Sequence, residues 1–546
     1  MSIQNVTTRQ INRLIVVIIV LLPCSLLGNP PRSLEDTQFI VEKKRTNLLP
    51  EAARLFRQAP AVAAMPPTKP LRYQFHTPAY AFDPLNRKIK VFRAKQDVFR
   101  QLYDNYVRVG YGNYFTSAVE AFWTMQRTTN LDYSLYGKYM DAGYDKYFRK
   151  YDGVVQLRAE KFMKLFSQPL QLQGTLKYNG TSYRLQHLPA STIVADQPLV
   201  PVHQLWLRGR LKNYVNQSYS YHIDTELRYL RDVHQAHERG VDLRGIGNYV
   251  LNDDFTLHIA ASYHYNYHPT AQTSAYYMGD IQPSLSFTLN NFDVRGGLNV
   301  VAQNDPLNSV DGHLRAYPIL NMQYAQYSWG KPYLDIQGGT KPQTLTQLRQ
   351  ENPLIAIDTQ LRPTHQPFAL AGGVHGDVME QISYQASLSR SSYTHYHCWI
   401  NNIRDPRLYQ IVHDPAATVY RLSGAITLIN CQETLTTRLQ GSYFRYFLKK
   451  LQEAWHRPRY QVDMLSTYRL YDKMLFTSTF SWLGGRKAAN QHLTDVIDLG
   501  VGVDYAWSSR MSIFINCQNL LNRTNPFYLH YPTRGIHLMA GLAYAW

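Results

Sequence analysis

The sequence predicts an all-β protein, a transmembrane antiparallel β-barrel of about 22 strands with short periplasmic turns and long extracellular loops. Three observations lead to this fold class. Apolar and polar residues alternate with period two along segment after segment, up to the C-terminus. Short turns alternate with long polar connections. The 546 residues include 42 Tyr, and the mean hydropathy of −0.36 is too polar for a bundle of membrane helices.

The last strand shows the alternation most clearly. In "GIHLMAGLAYAW", Leu542, Tyr544 and Trp546 fall on one apolar face, and small or polar residues fall on the other. A soluble sandwich would bury the apolar face, whereas an outer-membrane barrel would turn it towards lipid. In a barrel this strand pairs with the first strand and closes the sheet. We also expect its aromatic end to be the assembly signal that the barrel-assembly machinery reads.

The connections decide between these two folds. Turns such as "SSR", "YDK", "WGK" and "LNDD" alternate with long segments such as "KKLQEAWHRPR" and "YTHYHCWINNIRDPRLYQIVHDPAA". Outer-membrane barrels combine short periplasmic turns with long outer loops. We therefore predict a multi-pass barrel over residues 99–546, in the outer membrane of a Gram-negative bacterium.

Polar and charged residues occupy the strand face opposite the apolar side chains, and we expect them to line the lumen. The candidate lumen-facing residues are His258, His264, His268, Arg438, Asp463, Arg469, Asp498 and Asp504. His264 and His268 lie about 13 Å apart on an extended strand, so they cannot share a metal ion.

The N-terminal residues follow a different pattern. Arg9 and Arg13 precede an apolar run, which is typical of a secretory signal peptide, and we assign this signal to residues 1–28. Cys24 in "LLPC" raises the alternative of a lipidated N-terminus, although Pro23 fits that motif poorly. Residues 29–98 include the stretch "APAVAAMPPTKP" and are predicted to form a short periplasmic segment and linker.

The formal net charge of +18 suggests anionic neighbours. The basic residues are scattered, and no nucleic-acid-binding motif collects them, so we exclude nucleic acid as a partner. Outer-membrane lipid and the phosphates of lipopolysaccharide are the expected neighbours. If Cys24 leaves with the signal, Cys398, Cys431 and Cys517 remain, and this odd number implies no disulfide framework.

One segment contains candidate metal ligands. "THYHCW" brings His395, His397 and Cys398 together, and imidazole and thiol ligands suit zinc or copper. No further ligand cluster lies nearby, so we interpret the segment as an exposed aromatic loop rather than a metal site. The sequence has no G-x-S-x-G elbow and no H-E-x-x-H helix, and we predict neither enzyme activity nor a cofactor.

The C-terminal residues also resemble a known family. Asn519 to Asn522 ("NLLN"), Pro532 and Gly535 are similar to the closing strands of TonB-dependent receptors. The segments "NYVRVGYGNYFTSAVEAFW" and "LDIQGGTKPQTLTQLRQENPLIAI" resemble a Bacteroidota group of such barrels. The resemblance implies an outer-membrane barrel. Those receptors carry a plug domain ahead of the first strand, and residues 29–98 are too few to form one.

These features predict a TonB-receptor-like barrel without its own plug, which acts as a partner-gated conduit or a surface receptor. The alternative is a non-transporting structural or assembly subunit of a larger outer-membrane complex. A surface lipoprotein or a periplasmic protein is the expected partner. Because an empty barrel of this size would leak, we predict that infolded outer loops occlude the lumen, together with the N-terminal segment or a separate protein.

Overall fold

The computed structural model describes residues 103–546 with short gaps. The gaps fall at 126–130, 143–148, 166–167, 186–198, 214–217, 233–235, 270–274, 305–313, 325–326, 328, 357–358, 380, 431–433 and 472. The predicted signal peptide (1–28) and the predicted segment 29–98 lie outside the described residues.

The described residues form β-strands and one short helix. In chain order the strands are β1 Tyr106–Gly112, β2 Thr116–Thr124, β3 Leu131–Ala142, β4 Arg149–Leu165, β5 Gln168–Arg184, β6 Leu199–Asn213, β7 Tyr219–Asp232, β8 His237–Val250, β9 Phe255–Tyr267, β10 Tyr276–Leu289, β11 Phe292–Gln303, β12 Leu314–Tyr324, β13 Lys331–Lys341, β14 Thr364–Val378, β15 Ile382–Thr394, β16 Tyr396–Asn401, β17 Tyr409–Asp414, β18 Ala417–Ile429, β19 Leu435–Leu448, β20 Tyr460–Leu470, β21 Met474–Gly484, β22 Lys487–Ala488, β23 Gln491–His492, β24 Val496–Ala506, β25 Met511–Gln518, β26 Pro526–Tyr528, β27 Tyr531–Pro532 and β28 His537–Ala545. The helix, α1, is Leu345–Glu351. Within this part of the chain, no helix is long and apolar enough to cross a membrane.

A single 22-stranded antiparallel sheet contains β1–β15, β18–β21, β24, β25 and β28. Each of these strands pairs with the next one, and β1 also pairs with β28, so the sheet closes on itself. In the closing pair, Val107 lies opposite Tyr544 and Val109 lies opposite Leu542. The backbone of Trp546 exchanges hydrogen bonds of 3.3 and 3.0 Å with Asn105. The predicted all-β barrel, including its strand number, is confirmed.

The two faces of the sheet differ in polarity. On β28, Leu538, Leu542 and Tyr544 are exposed, whereas His537 and Met539 on the other face are half-buried. The same alternation continues through the barrel, because successive side chains of a strand point to opposite faces. An apolar outward face on a closed barrel is the surface that contacts lipid.

The two ends of the barrel differ in their connections. Tight turns such as residues 251–254 and 507–510 join the strands at one end. At the other end the connections of residues 342–363, 395–416 and 519–536 are long and carry their own secondary structure. Long loops face the exterior in outer-membrane barrels, so we call this the outer end.

The main hydrophobic core lies at the outer end. It joins the inner wall of β5–β8 to several of the long connections. Its buried members are Leu185, Val200, Val202, Leu230, Ala236, Leu345, Leu348, Leu354, Ile355, Leu361, Trp399, Tyr409, Ile411 and Tyr531. Loops that leave the barrel at different strands therefore share one packed core, and this core positions the candidate site.

Candidate functional site

Five connections fold together at the outer end of the barrel. We call them the outer cap, which consists of residues 342–356, 395–416, 449–459, 485–495 and 519–536. They contain α1 and the hairpins β16–β17, β22–β23 and β26–β27. They leave the barrel between β13 and β28, and their contacts with one another and with β7 and β8 cross the mouth.

Helix α1 begins at a capped N-terminus whose sequence, T-x-x-Q, is that of a capping box. Thr344 is the N-cap, and its hydroxyl accepts a hydrogen bond of 3.2 Å from the backbone N–H of Gln347. Leu345 and Leu348 are buried in the shared core. The stretch "TLTQLRQE" thus combines a helix start signal with one apolar face. Because a helix of this length is marginal on its own, α1 depends on packing against the hydrophobic core at the outer end.

A buried ion pair holds α1 against the barrel wall. Arg349 pairs with Asp232 at the outer end of β7, and their side chains are 3% and 0% exposed. At the start of β8, Glu238 accepts hydrogen bonds from the backbone N–H (3.0 Å) and the hydroxyl (3.2 Å) of Thr346. Burial lowers the pKa of Arg349, and the carboxylate of Asp232 opposes this effect. Because β9–β12 separate this wall from β13, the connection reaches across part of the mouth.

The chain after α1 joins the hairpin β16–β17. Ile355 pairs with Tyr409 in parallel, and the N–H groups of Ala356 and Tyr409 donate hydrogen bonds of 2.8 Å to the carbonyls of Tyr409 and Leu354. The fully buried Tyr409 also donates from its hydroxyl to the carbonyl of Leu529, at 2.5 Å. These bonds connect segments from three separate parts of the barrel.

Two further tyrosines attach the connection between β25 and β28. The fully buried Tyr531 donates a hydrogen bond of 2.8 Å to the carbonyl of Arg407. The hydroxyl of Tyr528 donates to the carbonyl of Glu351, at the end of α1. The last long connection is therefore bonded both to the helix and to the loop of the hairpin β16–β17.

Arg486 joins the hairpin β22–β23 to the same connection. Its side chain is 1% exposed and donates hydrogen bonds to the carbonyls of Phe527, Pro526 (3.0 Å) and Thr494 (2.9 Å). The planar guanidinium offers several donors in fixed directions, which suits contacts with several carbonyls at once. Burial lowers the pKa of this guanidinium.

Asp414, the last residue of β17, holds residues 449–451 in place through backbone hydrogen bonds. Its carboxylate accepts backbone N–H bonds from Ala416 (3.1 Å), Lys449 (3.1 Å), Lys450 (2.8 Å) and Leu451 (2.8 Å). Burial alone would raise the pKa of Asp414, but these hydrogen bonds outweigh it and lower the pKa below its ordinary value.

A charged cluster of the cap is centred on Glu351. Its carboxylate lies 3.3 Å from Nε2 of His397 and 3.6 Å from the guanidinium of Arg457. Burial would raise the pKa of Glu351, but the contacts with His397 and Arg457 lower it. Burial also lowers the pKa of His397, which favours the neutral imidazole. The cap thus pairs charged groups from three different connections.

A cavity of about 650 Å³ lies between the outer cap and the barrel wall. Its lining includes Arg108, Glu120, Lys138, Asp498, Phe514, Phe527, Arg534 and His537. The guanidinium of Arg108 lies 3.7 Å from the ring centre of Phe514 and pairs with Asp504 at 3.2 Å. Asp498 accepts the backbone N–H of Asn519 at 2.8 Å. The cavity offers ionic and hydrogen-bonding contacts to a polar ligand.

The predicted histidines lie on or just after β9 and do not converge. His258 bonds to side chains of both neighbouring strands at 2.7 Å. His264 contacts Asp242 at 2.6 Å, and the buried His268 contacts the carbonyl of His237 at 3.0 Å. Each histidine has its own partners at a different height of the wall.

Three other predicted residues lie on β19 and β20. Arg438 and Asp463 line a separate cavity of about 300 Å³ on the wall of β15–β20, and Asp463 accepts a hydrogen bond of 3.0 Å from Gln461. Arg469 lies towards the short-turn end of β20. The predicted polar residues are thus distributed around the barrel, and only Asp498 and Asp504 lie beside the cavity under the cap.

The interpretation of "THYHCW" (residues 394–399) as an exposed loop was wrong. Cys398 and Trp399 are 0% and 3% exposed, because the hairpin β16–β17 is covered by the other connections. Burial raises the pKa of the Cys398 thiol to about 12. Across the described residues, no group of three or more His, Cys, Asp or Glu side chains is placed to hold a metal ion.

The sequence analysis assigned no helix to "TKPQTLTQLRQENPLIAI", so it missed α1 and its anchors. The capping box at Thr344 and Gln347, followed by leucines three residues apart, is a signal that could have indicated the helix. Nothing in the local sequence pairs Arg349 with Asp232, which lies 117 positions away.

Comparisons with solved structures identify the fold. The chain is similar to the siderophore receptor PirA from Acinetobacter baumannii, with 11% identity over 81% of this chain and 80% of that one and a TM-score of 0.61. It is similar to the FrpB iron transporter from Neisseria meningitidis, with 9% identity, 82% coverage of both chains and a TM-score of 0.61. A variant of the ferric enterobactin receptor PfeA from Pseudomonas aeruginosa matches with 12% identity, 81% coverage of both chains and a TM-score of 0.59. No protein-family model and no curated protein matches the sequence.

The chain has the fold of an outer-membrane receptor barrel. The fold drawn from the resemblance to TonB-dependent receptors is therefore confirmed. The closed sheet with its apolar outward face places the chain in the outer membrane, as predicted. The similar structures are receptors and a transporter rather than enzymes. At these identities the likeness concerns the fold, and the Bacteroidota type and the missing plug stay predictions.

Proposed function

We propose that this protein is an outer-membrane receptor or conduit that lacks its own plug, and that its outer cap closes the mouth until a partner protein opens it. The observation that carries the proposal is the outer cap. Three of its five connections share one hydrophobic core, and α1 is anchored to the far wall through Arg349 and Asp232. A wide barrel needs such a cover to remain impermeable.

The cavity beneath the cap supports a ligand-binding role. Its lining combines the basic Arg108, Lys138 and Arg534 with the acidic Glu120 and the aromatic Phe514. These groups suit a polar, charged ligand with an aromatic or planar part. PirA and PfeA are named for siderophores and ferric enterobactin, and a chelate of that kind is one ligand of this chemical type.

Conductance in planar bilayers tests the proposal. The full-length protein is compared with a variant in which residues 396–414 are replaced by a short Gly-Ser linker. A matched control carries Ile403→Ser and Arg404→Ser, because both side chains are exposed at the loop of the same hairpin. We expect the intact protein and the control to be closed and the deletion variant to conduct. The proposal fails if the intact protein conducts freely, or if the folded deletion variant stays closed.

The second candidate function is a non-transporting structural or assembly subunit. The dense packing of the outer cap favours it, since mobile lids usually have few buried contacts, whereas this cap is bonded through Tyr409 and Tyr531. Proteins that co-purify with the chain discriminate between the two functions. A stable complex that stays silent in bilayers when its partners are present would support the structural role.

A further inference from the structure

The outward face of β6–β9 changes in character towards the outer end. Residues directly opposite one another form rows across the strands. Nearest the barrel middle, one row is Leu207, Leu227, Val241 and Tyr265; the next is Leu205, Tyr229, Arg239 and Tyr267; the outermost is His203, Arg231 and His237. The surface therefore passes from aliphatic through aromatic to basic within a few residues.

Two arginines stand out in this surface. Arg231 and Arg239 are exposed, while their neighbours Asp232 and Glu238 point inward and are buried under the outer cap. Arg231 lies opposite His237, so Arg239 is its diagonal neighbour on the adjacent strand, roughly 7–8 Å away. Among the described residues of β5–β9, the outward face carries no Asp or Glu that could neutralise them.

The position of these arginines in the membrane follows from physical chemistry. An arginine on the lipid face is costly at the bilayer midplane and is tolerated near the interface. Tyr229 and Tyr267 flank Arg239 on both sides, and tyrosines concentrate at the level of the lipid headgroups. At that level, the anions within reach are lipid phosphates, which the guanidinium fork binds in a bidentate manner.

We propose that Arg231 and Arg239 form a binding site for the phosphate groups of lipopolysaccharide in the outer leaflet. Two guanidinium groups on adjacent strands converge on one phosphate or on two neighbouring ones. His203 and His237 flank Arg231 on the two neighbouring strands. The site lies on the outer wall, so it goes beyond the proposed function and does not depend on whether the barrel conducts.

Native mass spectrometry of the full-length protein tests this site, with lipid A that carries two phosphates as the probe. The test variant is Arg231→Gln/Arg239→Gln. The matched control is Arg208→Gln/Arg210→Gln, which removes the same charge from β6 but on the lumen side, where both arginines pair with carboxylates of β7. Heat-modifiable gel mobility verifies that each barrel has folded, and Arg239→Gln alone serves if the double variant does not fold.

We expect the test variant to bind lipid A at least about tenfold more weakly, and the control to bind it like the unmodified protein. Dephosphorylated lipid A should bind poorly to all three proteins. Equal binding by the folded test variant, or equal binding of dephosphorylated lipid A, would overturn the proposal. Displacement of lipid A by inorganic phosphate at the same concentration would assign the arginines to free anions and would also overturn it.

Discussion

Removal of the Arg349 side chain is expected to release α1 from the barrel wall. In Arg349→Ala the carboxylate of Asp232 stays buried without its charged partner. Loss of one member of a buried ion pair costs about 3–5 kcal/mol. Burial of Leu345 and Leu348 contributes roughly 1.5–3 kcal/mol each, so the ion pair is comparable to the whole apolar anchorage of the helix.

The magnitude can be measured as backbone hydrogen exchange in α1. At 1.4 kcal/mol per factor of ten, the open population of the helix should rise by roughly a hundredfold to a few thousandfold. Exchange of residues 345–351 is followed by mass spectrometry on the full-length protein in vesicles, and bilayer conductance is recorded in parallel. Arg404→Ala is the control, because it makes the same chemical change at an exposed position of the cap.

A paired substitution tests the electrostatic reasoning separately. Asp232→Leu/Arg349→Met removes both charges and keeps apolar volume, and such replacements of buried ion pairs are often neutral or stabilising. We expect this variant to protect α1 better than Arg349→Ala does. The reasoning is refuted if Arg349→Ala exchanges at the rate of the Arg404→Ala control. If α1 exchanges rapidly and the conductance does not change, the helix is not part of the closure.

Further predictions concern assembly, cap stability and pH. Removing residues 544–546 should impair outer-membrane assembly, because part of β1 loses its partner and each unsatisfied backbone group in lipid costs several kcal/mol; normal heat-modifiable mobility of the truncated protein would contradict this. Tyr531→Phe leaves the buried carbonyl of Arg407 without its donor and should destabilise the cap by about 1–3 kcal/mol, measured by hydrogen exchange against an exposed Tyr471→Phe control. The lowered pKa of Asp414 stabilises the fold above the ordinary pKa of about 3.9, and this stabilisation is lost as the pH falls through the folded-state value. Exchange at residues 449–451 should therefore rise in acid, beyond its intrinsic pH dependence, in the unmodified protein, and Asp414→Asn should abolish that response.

The barrel could be predicted from the sequence because its rules are local. The alternation in β28 assigns Leu542 and Tyr544 to one face without knowledge of any other strand. The difference in length between the connections at the two ends of the barrel indicates which end faces the exterior. Neither inference requires the partner of a particular residue, and closure by β1 follows once the strands are counted.

The outer cap could not be predicted in the same way, because its contacts are long-range. Trp399 looked exposed within its own segment, and its burial depends on residues from other connections. Tyr409 and Leu529 are 120 positions apart, and no periodic pattern joins them. The capping-box sequence of α1 was a usable local signal. No residue near it in the sequence indicates that the helix contacts the wall at Asp232 and Glu238.

The stretch Leu230–Arg231–Asp232 on β7 shows where the period-two rule stops. The rule correctly separates Arg231, which faces outward, from Leu230 and Asp232, which face inward. It does not tell whether an inward residue meets water in the lumen or protein folded into the mouth. Here the outer cap covers the wall, so Leu230 belongs to a hydrophobic core and Asp232 needs a buried countercharge. Polar residues at the outer ends of inward faces therefore become structural anchors wherever a loop returns to the barrel. For those nearer the middle, lining the lumen stays the prediction.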